Sequence, residues 1–172
     1  IAMKKLIFII PLLIFSCSSD DDSSSNESNS PTDFFGNHIG LWKTTIEGSI
    51  DILIDVDSNG LSTYNKLSTE NCYNFVTPIS GGTTEVVSNN SEEYLYETVN
   101  IPAENVFSAD DLDFVNDLGY NYVDIAGAYL HTTDQIISYS EGIYGANSNV
   151  ELLTVTGNMG KQTSSTFNLC DD

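Results

Sequence analysis

Arginine is absent from this 172-residue chain, and only five lysines stand against 25 aspartates and glutamates. So few cations exclude nucleic acid as a partner, because that binding depends on Lys and Arg neutralising phosphates. The chain also lacks the planar guanidinium fork that grips phosphates and carboxylates through two parallel hydrogen bonds. Neutral glycans, apolar molecules, cations and basic protein surfaces stay open, and net charge by itself also serves solubility. Histidine is scarce: His38 and His131 are the only two, with no closely spaced cysteines beside them, which argues against zinc. Neither lies in a nucleophile elbow or another catalytic motif, so the expectation is a protein that is not an enzyme. A glycan-acting hydrolase is the remaining catalytic option, since its paired carboxylates are set by space rather than by sequence.

No apolar run is long enough for a helix crossing about 30 Å of hydrocarbon. The longest, Leu6 to Phe15, covers about ten residues behind the basic start Met3-Lys4-Lys5, which is the make-up of a secretory signal. Residues 1–16 are read as that signal, with Ile1 and Ala2 as two extra leading residues. It closes on Ile14-Phe15-Ser16-Cys17, which resembles the bacterial lipobox, where a cysteine behind a small residue is acylated and becomes the N-terminus. Two or three acyl chains, at about 0.8 kcal/mol per buried CH₂, hold a protein stably on a membrane.

Residues 17–33 are the lipidated Cys17 and an acidic tether. Ser18 to Pro31 contain no apolar residue, so they cannot offset the entropy of ordering and are expected to be disordered. The Ser19-Asp20-Asp21-Asp22 cluster resembles the surface-export signal of lipoproteins of the Bacteroidetes kind. The resemblance implies an outer-membrane protein, lipid-anchored and facing the cell exterior; a periplasm-facing orientation is the alternative.

Residues 34–172 read as a single β-domain. Ile50, Ile52, Ile54 and Val56 alternate with Asp51, Leu53 and Asp55, the period-2 pattern of an antiparallel strand with one buried face. Asn59-Gly60 supplies a turn, and Leu61–Leu67 returns as its partner. Further strands are expected at 42–47, 72–77, 83–88, 94–100, 120–130, 135–139, 150–156 and 163–170. Such spacing points to an up-and-down barrel or a β-sandwich. One short helix is expected from Ala109 to Leu118, started by a capping box at Ser108 with Asp111 in the Glu place and closed by Gly119. Gly40-Leu41-Trp42 at the first strand, followed by hairpins, resembles the lipocalin-like domains. In that family the tryptophan packs across the closed end of an eight-stranded barrel, usually against an arginine of a late strand, which this chain does not have.

With Cys17 acylated, Cys72 and Cys170 remain outside the cytoplasm, where an even pair is expected to form a disulfide; two buried thiols are the alternative. Tyr94/Tyr96 and Tyr120/Tyr122 have the i, i+2 spacing that puts each pair on one sheet face, where exposed rings could stack on sugars and buried ones would pack across strands. Asp55, Asp57 and Asn59 match the first half of an EF-hand loop, but Lys66 occupies its twelfth position, so a hairpin turn is favoured over calcium binding. No other cofactor is expected. Asp110, Asp111, Asp113 and Asp117 are a second acidic group, the first of which suit a helix N-terminus. The functional expectation is a non-enzymatic binding module for a small apolar or neutral ligand or a glycan. A structural or adhesion protein of the envelope is the alternative.

Overall fold

The computed structural model describes residues 33–170 apart from Glu47, Ser58, Asn59 and Ser165. Cys17, the signal and nearly all of the tether therefore lie outside the described residues, as does Asn59. Nine strands form one antiparallel sheet: β1 (Gly40–Ile46), β2 (Ile50–Asp57), β3 (Gly60–Leu67), β4 (Asn74–Phe75), β5 (Thr83–Asn89), β6 (Glu93–Pro102), β7 (Tyr122–Thr133), β8 (Ile136–Gly145) and β9 (Glu151–Lys161). Their order is β4-β3-β2-β1-β9-β8-β7-β6-β5. Each strand but one pairs with its successor, and β9 returns to β1. Only a β4–β5 pairing is missing from a closed ring.

The all-β class is as expected, but neither a closed barrel nor a two-sheet sandwich forms. The reason lies at the gap. The strand expected at 72–77 shrinks to two exposed residues, leaving almost no ladder for β5. The chain then passes Pro78, which has no N–H to donate, and Gly81 and Gly82 at φ 87° and 80°, outside strand conformation. The strand expected at 163–170 is likewise replaced by a tail with a single parallel bridge, Tyr73–Leu169.

One face of the sheet feeds a single core, so the sheet curls around it. Trp42 from β1, Ile50, Ile52, Ile54 and Val56 from β2, Val123 and Ile125 from β7, Ile137 and Ile143 from β8 and Met159 from β9 all belong to it. On β6 the inward positions are Tyr94, Tyr96 and Thr98, then Ile101, a change of parity. A bulge between Thr98 and Ile101 makes that change. Asn100 sits there at φ 58°, its N–H donating to Asp124 Oδ1 at 2.9 Å.

Two helices close the ends. At one, Asp33 caps the single turn α1 (Phe34–Asn37) by accepting from the Gly36 N–H at 2.7 Å. Phe34 is fully buried, and Phe35 lies 4.7 Å from the Tyr94 ring. At the other end, a 3-10 turn at Ala103–Asn105 leads into α2 (Ala109–Asp117), the helix expected from sequence to within a residue. Its capping box does not form: Ser108 Oγ donates to Asp111 Oδ2 at 2.6 Å, and no side chain caps the backbone. Val115 is the helix's buried anchor.

Cys72 and Cys170 form the expected disulfide, 98 residues apart in sequence. It ties the C-terminal tail, rather than a last strand, beside the β3–β4 edge. Phe167 of the tail packs on Tyr64 and Tyr73 on the sheet's outer side. The outer face of β2 is thus not simply solvated: Leu53 is buried, and Asp51 is shared by Lys43 at 2.7 Å and Lys66 at 3.6 Å.

Candidate functional site

The residues expected to carry function are scattered. Tyr94 and Tyr96 face inward and are buried, so neither offers a ring face to solvent. Tyr122 is 52% exposed, whereas Tyr120 precedes β7 and packs against Gly145, where a Cβ would collide with its ring. The four tyrosines therefore build no sugar platform, because the i, i+2 rule fixes the side of the sheet and not which side is wet. Asp55 and Asp57 lie on the outer side of β2. Burial first, then the charge of Asp57, push the Asp55 carboxyl above its usual value. No group of three or more His, Cys, Asp or Glu with metal-binding geometry occurs among the described residues.

Apolar side chains make up most of the core, and among the described residues Glu141 is the one buried carboxylate. Glu141 on β8 is buried and accepts a hydrogen bond from the Tyr96 hydroxyl at 2.7 Å. Tyr96 and Glu141 are both register partners of Gly127, which lies between them on β7. The Tyr96 ring crosses over Gly127, where a Cβ would collide with it, and so spans two strands to reach the carboxylate. Burial pushes the Glu141 pKa up to about 7, with the Tyr96 bond pulling the other way. Tyr129 and Tyr96 are raised well above their ordinary values by burial and next by Glu141. Gly127→Ala is expected to displace the Tyr96 ring and cost about 1–3 kcal/mol, as overpacking does, read by chemical denaturation. Unchanged stability would mean that the ring does not need the glycine.

The other convergence lies at the α1 end, where the end of α1, the starts of β1 and β6, the β7–β8 turn and the end of β9 meet around a pocket of about 370 Å³. His38, which caps α1, is buried. Its Nδ1 lies 2.8 Å from the Phe34 carbonyl and so carries the hydrogen. Its Nε2 then offers a lone pair to Nδ1 of His131, 3.0 Å away. Burial lowers the His38 pKa below its ordinary value, in keeping with this neutral tautomer. His131 is thereby oriented through one ring nitrogen, and its Nε2 has no hydrogen-bond partner among the described residues. A bulge between His131 and Thr133 ends the regular pairing of β7.

Trp42, fully buried, completes the floor by donating its indole N–H to the His38 carbonyl at 2.7 Å. Lys161 is the register partner of Trp42 and places its ammonium 5.3 Å from the centre of the indole. Gly40 is needed here twice over. It has φ 131°, and a Cβ would press on Lys161 Cε at 3.2 Å. Lys43 and Lys66 are occupied by Asp51, so Lys161 is the one described lysine without a salt bridge. Glu92, Asp134, Asn37 and Ser91 line the rim.

A second concavity, about 340 Å³, lies on the outer face over Ala126, Ala128 and Gly142. It is shallow, with Glu97 and Glu151 as its only charges. The end pocket alone joins a cation, an oriented imidazole and two carboxylates. In sequence the two histidines stand 93 positions apart and in no motif, so nothing local links them. Lys161 gives no signal beyond being one of few cations.

Comparison with protein-family models, with curated proteins and with solved structures finds no match for this chain.

Proposed function

We propose that the chain is a lipid-anchored envelope protein whose β-domain is a lipocalin-like binding module, holding a small neutral ligand in the pocket at the α1 end without transforming it. The observation that carries this reading is the pocket itself. Its size falls in the range of small-molecule sites, and a few polar groups converge on it. The cluster of buried apolar side chains on the sheet's inward face disfavours an apolar ligand held there.

Three features support the lipocalin-like reading. The Gly40-Leu41-Trp42 motif starts β1 and Trp42 packs across one end of the core. Lys161, at the end of the last strand, covers that tryptophan where the family usually has arginine. The strand order lacks one pairing of an up-and-down ring. Against catalysis, Ser91 Oγ lies 3.5 Å from Glu92 Oε1 and has no hydrogen bond to either histidine among the described residues.

The anchor rests on Cys17 and the residues around it. Expressed in a bacterium that processes lipoproteins, the full chain should yield an N-terminal peptide that begins at an acylated Cys17, read by mass spectrometry. An unmodified Cys17 inside an intact peptide would sink the anchor. Added protease should cut the domain on intact cells if it faces outward and spare it if it faces the periplasm. Binding is tested by thermal shift of the whole chain against neutral, acidic and apolar panels. No shift with any of them would move the reading to a structural or adhesion role.

A further inference from the structure

Resting on that reading, we infer that the end pocket selects a neutral polyhydroxylated ligand, a sugar unit, by pairing adjacent hydroxyls with His131 Nε2 and Lys161 Nζ. The pocket floor fixes where the hydrogens sit. The Phe34 carbonyl sets the hydrogen on His38 Nδ1, and His38 Nε2 therefore accepts from His131 Nδ1. In this arrangement a neutral His131 presents a bare lone pair at Nε2. Lys161, held above Trp42, offers only donors. The two groups flank the same His38–Trp42 pair, whose rings are 5.8 Å apart, with the His131 ring 5.2 Å from His38. An acceptor and a donor thus line the same pocket, on either side of that pair.

Each class of ligand meets this pair differently. Two neighbouring hydroxyls satisfy both, one donating to His131 and the next accepting from Lys161, since every hydroxyl can do either. A carboxylate would pair with Lys161 but turn its second oxygen toward the His131 lone pair, and it would face Glu92 and Asp134 at the rim. A cation would meet the Lys161 ammonium. An apolar molecule would strip water from every group and replace none of its hydrogen bonds. The rim carboxylates are exposed, so charge pairing there contributes little, and as acceptors they suit further hydroxyls. A site built to hydrogen-bond hydroxyls rejects analogues that lack them, because its buried polar atoms are left unpaired.

The test is calorimetric titration of the whole chain with N-acetyl-D-glucosamine, its tetramer, D-galactose, D-glucuronate, glycine and hexanol, repeated on Lys161→Met, His131→Gln and Lys66→Met. The expected result is binding of at least one neutral sugar, at least tenfold weaker in Lys161→Met and His131→Gln and unchanged in Lys66→Met. Tighter binding of the tetramer than of the monomer would assign a polymeric glycan as the source, and equal binding a free sugar. Lys161→Met keeps the stem over Gly40 and Trp42. A matching unfolding temperature shows that its loss of affinity is not loss of fold. If glycine, glucuronate or hexanol binds and the sugars do not, with Lys161→Met abolishing it, the sugar inference falls while the binding module stands. If sugars bind equally to all variants, the site is elsewhere and the inference fails. If nothing binds, both readings fail.

Discussion

Replacing Glu141 with glutamine should stabilise the domain by about 3 kcal/mol at pH 8 and leave it nearly unchanged at pH 4.5. The carboxyl is buried, and its pKa rises from 4.5 to about 7 on folding. A tenfold change in proton affinity between the folded and unfolded chain corresponds to about 1.36 kcal/mol. The sign follows from proton binding. Between pH 4.5 and 7 the folded protein holds a proton on Glu141 that the unfolded chain has released. Stability from this group is therefore complete below pH 4.5, declines as pH rises to about 7, and is level above that. His38 runs the other way, because burial keeps it neutral and stability falls as pH drops below its ordinary value of 6.5. Subtracting the variant's stability from the wild type's at each pH removes that contribution. Glutamine can still accept from the Tyr96 hydroxyl, so packing is held nearly constant. Urea unfolding at four or five pH values is the measurement; a pH-independent difference between the two proteins would show that folding does not shift the Glu141 pKa.

Removing the disulfide should have the largest effect on stability. Cys72 and Cys170 close a loop of about 100 residues, for which chain entropy alone predicts about 4.7 kcal/mol. Cys72→Ser with Cys170→Ser should therefore lower the melting temperature by roughly 15 °C, taking a few degrees per kcal/mol for a domain of this size. The loss should be accompanied by release of the tail, freeing Phe167 from Tyr64 and Tyr73. Proteolysis should then cut first within the tail. A double variant melting within 3 °C of the wild type, with its tail still protected, would mean that the aromatic packing holds this region without the bond.

The groups behind these two effects differ in how far the sequence reveals them. The disulfide is legible in cysteine parity once Cys17 is set aside as the expected lipidation site. The β2–β3 hairpin is legible because Ile50, Ile52, Ile54 and Val56 recur at every second position, with acids at two of the three places between, and the run ends at turn residues. Helix α2 is legible because its first turn is acidic and a glycine follows it, whereas the single turn of α1 is unexpected. By contrast, the open seam is hidden, since residues 72–77 and 163–170 have strand-like composition and only tertiary pairing decides whether a ladder forms. The inward turn of Tyr94 and Tyr96 is hidden for a related reason: a period of two gives the face but not its environment. Glu141 looks like one acid among 25, and nothing local marks it as buried. Its sign is long-range, a tyrosine, a glycine and a glutamate aligned across three strands. The end pocket is least visible, because it joins His38 and Trp42, Glu92, His131 and Lys161 from four separate stretches of chain.

The most direct test of a sugar site at the α1 end is to follow the His131 ring by NMR while N-acetyl-D-glucosamine is added to the full chain. Saturable shifts are expected at His131 and Lys161, together with Asn37, and none at Ala126 or Ala128 on the outer face. The His38 Nδ1 hydrogen should stay bound to the Phe34 carbonyl throughout. Shifts confined to the outer face, or a silent His131 while the sugar binds, would contradict a site built on this pair of histidines and Lys161.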